Sequence, residues 1–90
     1  MAIVIELNFP GTTVQQYEEV SRGLEAKGLA APQGRQYHVA APSDTGWFVV
    51  DVWDSVEQFN TFGETLMPLL EAAGIPTVLP EIWEVHNIIQ

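Results

Sequence analysis

A chain of 90 residues holds one hydrophobic core and no second one, so a single domain over residues 1–90 is expected. Twelve Asp and Glu against three Lys and Arg give a formal charge of −9, which opposes phosphate backbones and anionic lipid, so neither nucleic acid nor a membrane is an expected partner. With no cysteine there is no disulfide, thiolate nucleophile or Cys-ligated zinc, and 47% hydrophobic residues argue against disorder.

No apolar run approaches the ~20 residues of a bilayer span, and no signal-peptide layout opens the chain, so a cytoplasmic location is expected. From the N-terminus, Ile3, Ile5, Leu7 and Phe9 alternate with Val4, Glu6 and Asn8, the period-two pattern of a half-buried strand that Pro10-Gly11 ends. Thr13-Val14-Gln15-Gln16 reads as a capping box. The helix it opens carries Val14, Tyr17, Val20 and Leu24 on one face and has Gly28 as its C-terminal stop. Residues 30–34 connect to a second strand, Arg35 to Ala41, and the loop Pro42 to Gly46 leads into a third, Trp47 to Trp53. In the third strand Phe48, Val50 and Val52 form one side, and Trp47, Val49, Asp51 and Trp53 the other. Ser55-Val56-Glu57-Gln58 is a second capping box, whose helix places Val56, Phe59, Phe62, Leu66, Leu69, Leu70 and Ala73 on one stripe before Gly74. Pro68 removes a helical donor, so a kink or break near Glu64–Pro68 is expected. Residues 75–80 read as a loop, and a last strand is expected from Glu81 to Ile89.

The order β-α-β-β-α-β, with right-handed crossovers, gives an α+β fold of the ferredoxin-like type: a four-stranded antiparallel sheet in order 4-1-3-2, with both helices on one face. Ile3, Ile5, Leu7, Phe48, Val50 and Val52 suit the helix side. The reverse side then carries Glu6, Asn8, Gln36, His38, Trp47, Asp51, Trp53, Glu84 and His86. Two indoles do not suit a solvated face, and three carboxylates with two imidazoles do not suit a dry one. A second sheet packed over this face and enclosing a lined cavity accommodates both, and an identical chain is its simplest source. A homodimer is therefore expected.

The stretch Val49-Val50-Asp51-Val52-Trp53-Asp54-Ser55-Val56-Glu57-Gln58-Phe59-Asn60-Thr61-Phe62 ends a strand and opens a helix. It resembles the signature of the dimeric α+β barrel proteins and, more narrowly, is similar to the antibiotic-biosynthesis-monooxygenase group. That superfamily includes cofactor-independent monooxygenases of phenolic polyketides, heme-degrading oxygenases, muconolactone-type isomerases and proteins without known activity. The heme-degrading branch resembles this chain at Asn8 and at Val52-Trp53. It expects Trp where Phe62 stands and a heme-ligating His where Ala72 stands, so the resemblance implies no heme. Met67 reads as core rather than as an iron ligand, and no cofactor is expected.

Cofactor-free oxygenation needs a dry pocket, aromatic walls for a planar phenol, a proton acceptor and donors for an anion. Trp47 and Trp53 are the candidate walls. Asn8 is a candidate oxyanion donor, and His86 or His38 a candidate base. Glu6, Asp51, Glu84 and Phe62 complete the candidate substrate-binding set. The plainer readings are a structural or interface His86, a solvent-exposed His38 and an Asn8 that only sets up the following turn. No metal site is expected: His38 and His86 would lie on opposite sheet edges, roughly 14 Å apart. These features lead to an expected monooxygenase-like homodimer acting on a small aromatic or polyketide-derived substrate, in a cavity between helices and sheet. Its rivals are a non-catalytic ligand-binding or stress-associated barrel and an isomerase or cyclase that uses His as a proton shuttle.

Overall fold

The computed structural model describes residues 1–90. Its elements are β1 (Ile3–Pro10), α1 (Val14–Ala26), β2 (Arg35–Pro42), β3 (Gly46–Trp53), α2 (Val56–Ala72) and β4 (Glu81–Glu84). The strands form one antiparallel sheet in the order β2-β3-β1-β4, the ferredoxin-like α+β arrangement expected from the element order. Neither helix is long and apolar enough to cross a membrane.

Both helices begin where the caps place them. The Thr13 hydroxyl accepts the Gln16 amide while the Gln16 carboxamide oxygen accepts the Thr13 amide, a closed capping box. At α2 the Ser55 hydroxyl accepts the Gln58 amide, but the Gln58 side chain bonds the Ser55 hydroxyl instead of its backbone. Contrary to expectation, α2 runs through Pro68 as one helix. Pro68 and Glu64 are exposed, so the carbonyl that loses its i+4 donor lies on the wetted side of the helix, where water can satisfy it.

The principal correction concerns the faces of β3. Ile3 pairs with Trp53, Ile5 with Asp51, Leu7 with Val49 and Phe9 with Trp47. Directly paired residues share a face, so Trp47, Val49, Asp51 and Trp53 lie beneath the helices, and Phe48, Val50 and Val52 face outward. All four inward residues are buried, Trp53 and Ile5 completely. His38 is paired with Asp51 and turns inward with it. The strand is apolar on both sides, so periodicity alone did not discriminate. The chosen side buries two indoles against the apolar alternation Ile3, Ile5, Leu7 and Phe9 of β1.

β4 is also shorter than expected. In its register Ile3 opposes Glu84, and the Val85 amide donates to the Ala2 carbonyl at 2.9 Å. The pairing with β1 ends there, and residues 86–90 carry no strand and lie exposed.

Gly46 opens β3 opposite Pro10. A Cβ built there would stand 2.2 Å from the Phe9 carbonyl oxygen, a contact that backbone must relieve. Gly46→Ala is expected to lower the unfolding free energy in urea titration by about 1–3 kcal/mol, the range of an overpacked site. A midpoint equal to the wild type would show that this corner yields freely.

Candidate functional site

The two helices do not seal the inner face of the sheet. Between them lies a cavity of about 190 Å³, lined mostly by apolar side chains from β1, β3, α1 and α2. Its polar lining comprises Thr12, Ser21, Glu25 and Arg35 together with a chain of three side chains from three elements. Tyr17 on α1 has its hydroxyl 2.6 Å from His38 Nε2, and His38 Nδ1 lies 2.6 Å from Asp51 Oδ1. The second carboxylate oxygen accepts the Trp53 indole N–H at 3.2 Å. All three members of the chain line the cavity.

The hydrogen-bond roles follow from what each group can do. A carboxylate only accepts, so His38 Nδ1 carries the hydrogen; in the neutral ring Nε2 is then an acceptor and the Tyr17 hydroxyl donates to it. Asp51 and Trp53 alternate along β3, and the indole bond fixes the carboxylate from behind. His38 stands on edge strand β2, and its side chain is 27% exposed against 5% for Asp51. Burial raises the Tyr17 phenol above its ordinary pKa of 10.0, against the opposing pull of the positive charge of Arg35. Tyr17 is therefore a neutral hydroxyl across the physiological range.

Aromatic contacts brace the arrangement. Tyr17 packs on Trp47 with ring centroids 5.0 Å apart, and Trp53 meets Phe62 at 5.2 Å and Phe59 at 5.8 Å. Thr12 and Trp47 also line the cavity, and neither the Thr12 hydroxyl nor the Trp47 indole N–H has a hydrogen-bond partner in the protein.

The candidate residues thus separate into two groups. His38, Trp47, Asp51 and Phe62 come together at the cavity, with Trp53 behind Asp51. Asn8 and Glu6 lie on the opposite sheet face, where the Asn8 amide donates to Glu6 Oε1 at 3.1 Å. Glu84 is exposed on β4, and His86 is exposed beyond its end. No three His, Asp or Glu side chains converge as metal ligands. Tyr17 and Arg35 were not singled out as site residues by the sequence. The available signal for Tyr17 was a hydroxyl-bearing ring on an otherwise aliphatic helix stripe.

No family model and no curated relative matches the sequence. Solved structures do match over nearly the whole chain. A candidate antibiotic biosynthesis monooxygenase from Chloroflexus aurantiacus superposes with a TM-score of 0.69 at 12% identity, covering 100% of this chain and 98% of that one. One from Caulobacter crescentus gives 0.63 at 18%, with 96% and 89% covered. A variant of SnoaB, a cofactor-independent oxygenase from Streptomyces nogalater, gives 0.63 at 15%, with 98% and 94% covered. The fold shared with these structures is the four-stranded ferredoxin-like α+β arrangement. At these identities the likeness is one of architecture.

The raised Tyr17 pKa sets a direction for alkaline stability. The folded state holds this proton more tightly than the unfolded chain, so its contribution is complete below about pH 10 and is lost as pH rises through the higher folded-state value. Stability measured by denaturant titration above about pH 10 is expected to fall less steeply in Tyr17→Phe than in the wild type. Parallel slopes would remove the assignment.

Proposed function

We propose that the cavity between helices and sheet is the active site of a cofactor-independent, monooxygenase-like enzyme acting on a small aromatic substrate. The observation that carries this reading is the Tyr17–His38–Asp51 chain, a hydrogen-bonded path set into a mostly apolar chamber. The fold shared with SnoaB is consistent with it.

The chemistry asks little else of the protein. An activated methylene or phenol gives a proton to the Tyr17 oxygen while the Tyr17 hydroxyl passes its own to His38 Nε2, and Asp51 stabilises the imidazolium through Nδ1–H. The substrate carbanion or phenolate then transfers one electron to dioxygen. Radical recombination gives a peroxide, which at a methylene loses water to leave a carbonyl. Four electrons leave the carbon and four reduce dioxygen, so no external reductant is required. The apolar walls keep water from the reactive intermediates. Trp47 and Phe62 supply aromatic surface, and Asp51 and Trp53 hold the base in register.

The same relay serves a second reading, an isomerase or cyclase that moves a proton without consuming oxygen. The hydrogen-bonded chain favours it as strongly. Oxygen uptake during product formation separates the two.

The proposed working unit is a homodimer. The outward sheet face carries Tyr37, Val39, Phe48, Val50, Val52 and Trp83 around the polar residues Glu6, Asn8 and Glu81. Val39 is 57% exposed and Trp83 50%. A second copy meeting this face about a two-fold axis would bury it. Asn8 and Glu6 would then belong to the interface.

Two measurements test this reading. Oxygen-electrode assays with a panel of one- to three-ring phenols and with anthrone are expected to find a substrate whose kcat/KM falls about 10²–10⁴-fold in Tyr17→Phe and in His38→Ala; full activity in both variants would dismiss the relay. Light scattering is expected to give twice the chain mass of 10.0 kDa, and Val39→Lys with Val50→Lys is expected to return it to one chain. A wild-type particle of one chain would end the dimer proposal.

A further inference from the structure

Arg35 is one of only three cations among twelve carboxylates, yet it pairs with none of them. The only ion pair in the protein joins His38 and Asp51. Two carboxylates line the same cavity: Asp51 is occupied by His38 on one oxygen and Trp53 on the other, and Glu25 is exposed and makes no ion pair. The Arg35 guanidinium is held instead by two neutral contacts. Its Nη2 donates to the Ala30 carbonyl at 2.8 Å, and its central carbon sits 6.0 Å from the centroid of the Phe62 ring. Ala30, Phe62 and Arg35 all belong to the cavity wall, so the charged head stands at the cavity itself. Of five guanidinium N–H donors, one is engaged within the protein, which leaves the planar fork available to a carboxylate.

Size adds a second constraint. An apolar protein cavity of about 150 Å³ accepts benzene, and this one measures about 190 Å³. A chamber of this size holds one ring with a substituent, or two fused rings.

We infer that Arg35 is the specificity-determining anion receptor of this site and that its ligand is a one- or two-ring aromatic carboxylate. The inference rests on the reading of the cavity as the substrate site. In a chain carrying −9, an anionic ligand needs a local cation to offset the field around it. With its carboxylate on Arg35, the ring lies along Phe62 and the apolar floor, in the same chamber as the Tyr17 hydroxyl.

Benzoate, benzamide and 9-anthracenecarboxylate are the probes, with binding followed by calorimetry on the wild type, Arg35→Gln and Arg35→Lys. Benzoate is expected to bind the wild type about ten- to a hundredfold more tightly than benzamide, the scale of a charge-assisted hydrogen bond. In Arg35→Gln the two affinities are expected to become equal, with benzamide unchanged. Arg35→Lys, which keeps the charge but not the fork, is expected to fall between. A purely structural Arg35 would change both ligands alike. Equal affinities in the wild type, or a preference retained in Arg35→Gln, overturns the role of Arg35, and 9-anthracenecarboxylate binding as tightly as benzoate overturns the size class. Both leave the relay intact. Failure of benzoate and benzamide alike to bind the wild type removes the cavity reading together with this one.

Discussion

The pairing of β1 with β3 is the constraint from which the rest follows. Because Ile3 opposes Trp53 and Ile5 opposes Asp51, one set of alternate residues goes under the helices as a unit. A slip of one residue would send both indoles and the carboxylate to the other face and bring Phe48, Val50 and Val52 inside. The cavity would then lose its Tyr17–His38–Asp51 chain. The register also settles the position of His38, since β2 pairs His38 with Asp51. Burying an aspartate is costly unless its oxygens are occupied. Here a ring N–H takes one oxygen and an indole N–H the other, so a functional grouping and a structural requirement coincide in the same three residues.

The sequence made much of the architecture legible, and the reasons are local. The capping box at Thr13 and the N-cap hydroxyl at Ser55 mark helix starts within a residue, because each hydroxyl accepts a first-turn amide that has no partner within the helix. Strand β1 reads clearly because its two sides differ in polarity. β3 does not, since Val49 and Val50 are neighbours and aromatic residues occupy both sides. The face of such a strand is chosen by its partners, which no window of one strand contains. The end of β4 was hidden for a related reason: Asn87 and Ile89 continue the alternation, but the ladder with β1 ends at the Ile3–Glu84 pair. A stop imposed by another strand leaves no mark in the sequence it stops.

The site was legible in part for the same reason. His38, Asp51, Trp47 and Phe62 share the cavity, whereas Asn8 and Glu6 face away from it, Glu84 stands on the far edge strand and His86 lies beyond that strand, so membership follows from place in the sheet more than from residue type. Tyr17 announced itself only as one position of a helix stripe, and its partner lies 21 residues away in sequence. Arg35 is significant through what it does not touch, which sequence cannot display. An acidic protein that leaves a guanidinium unpaired beside an apolar chamber keeps its rarest charge where it is least diluted by water.

The location of His38 on the outer edge of the sheet has a consequence for turnover. Its imidazole spans the boundary between a dry interior and the surrounding solvent. A proton taken from a substrate in the chamber would reach a ring that already borders bulk water, and buffer could collect it there. Under the proposed relay the proton would leave through the flank of the molecule, and the relay would be reset without the helices parting.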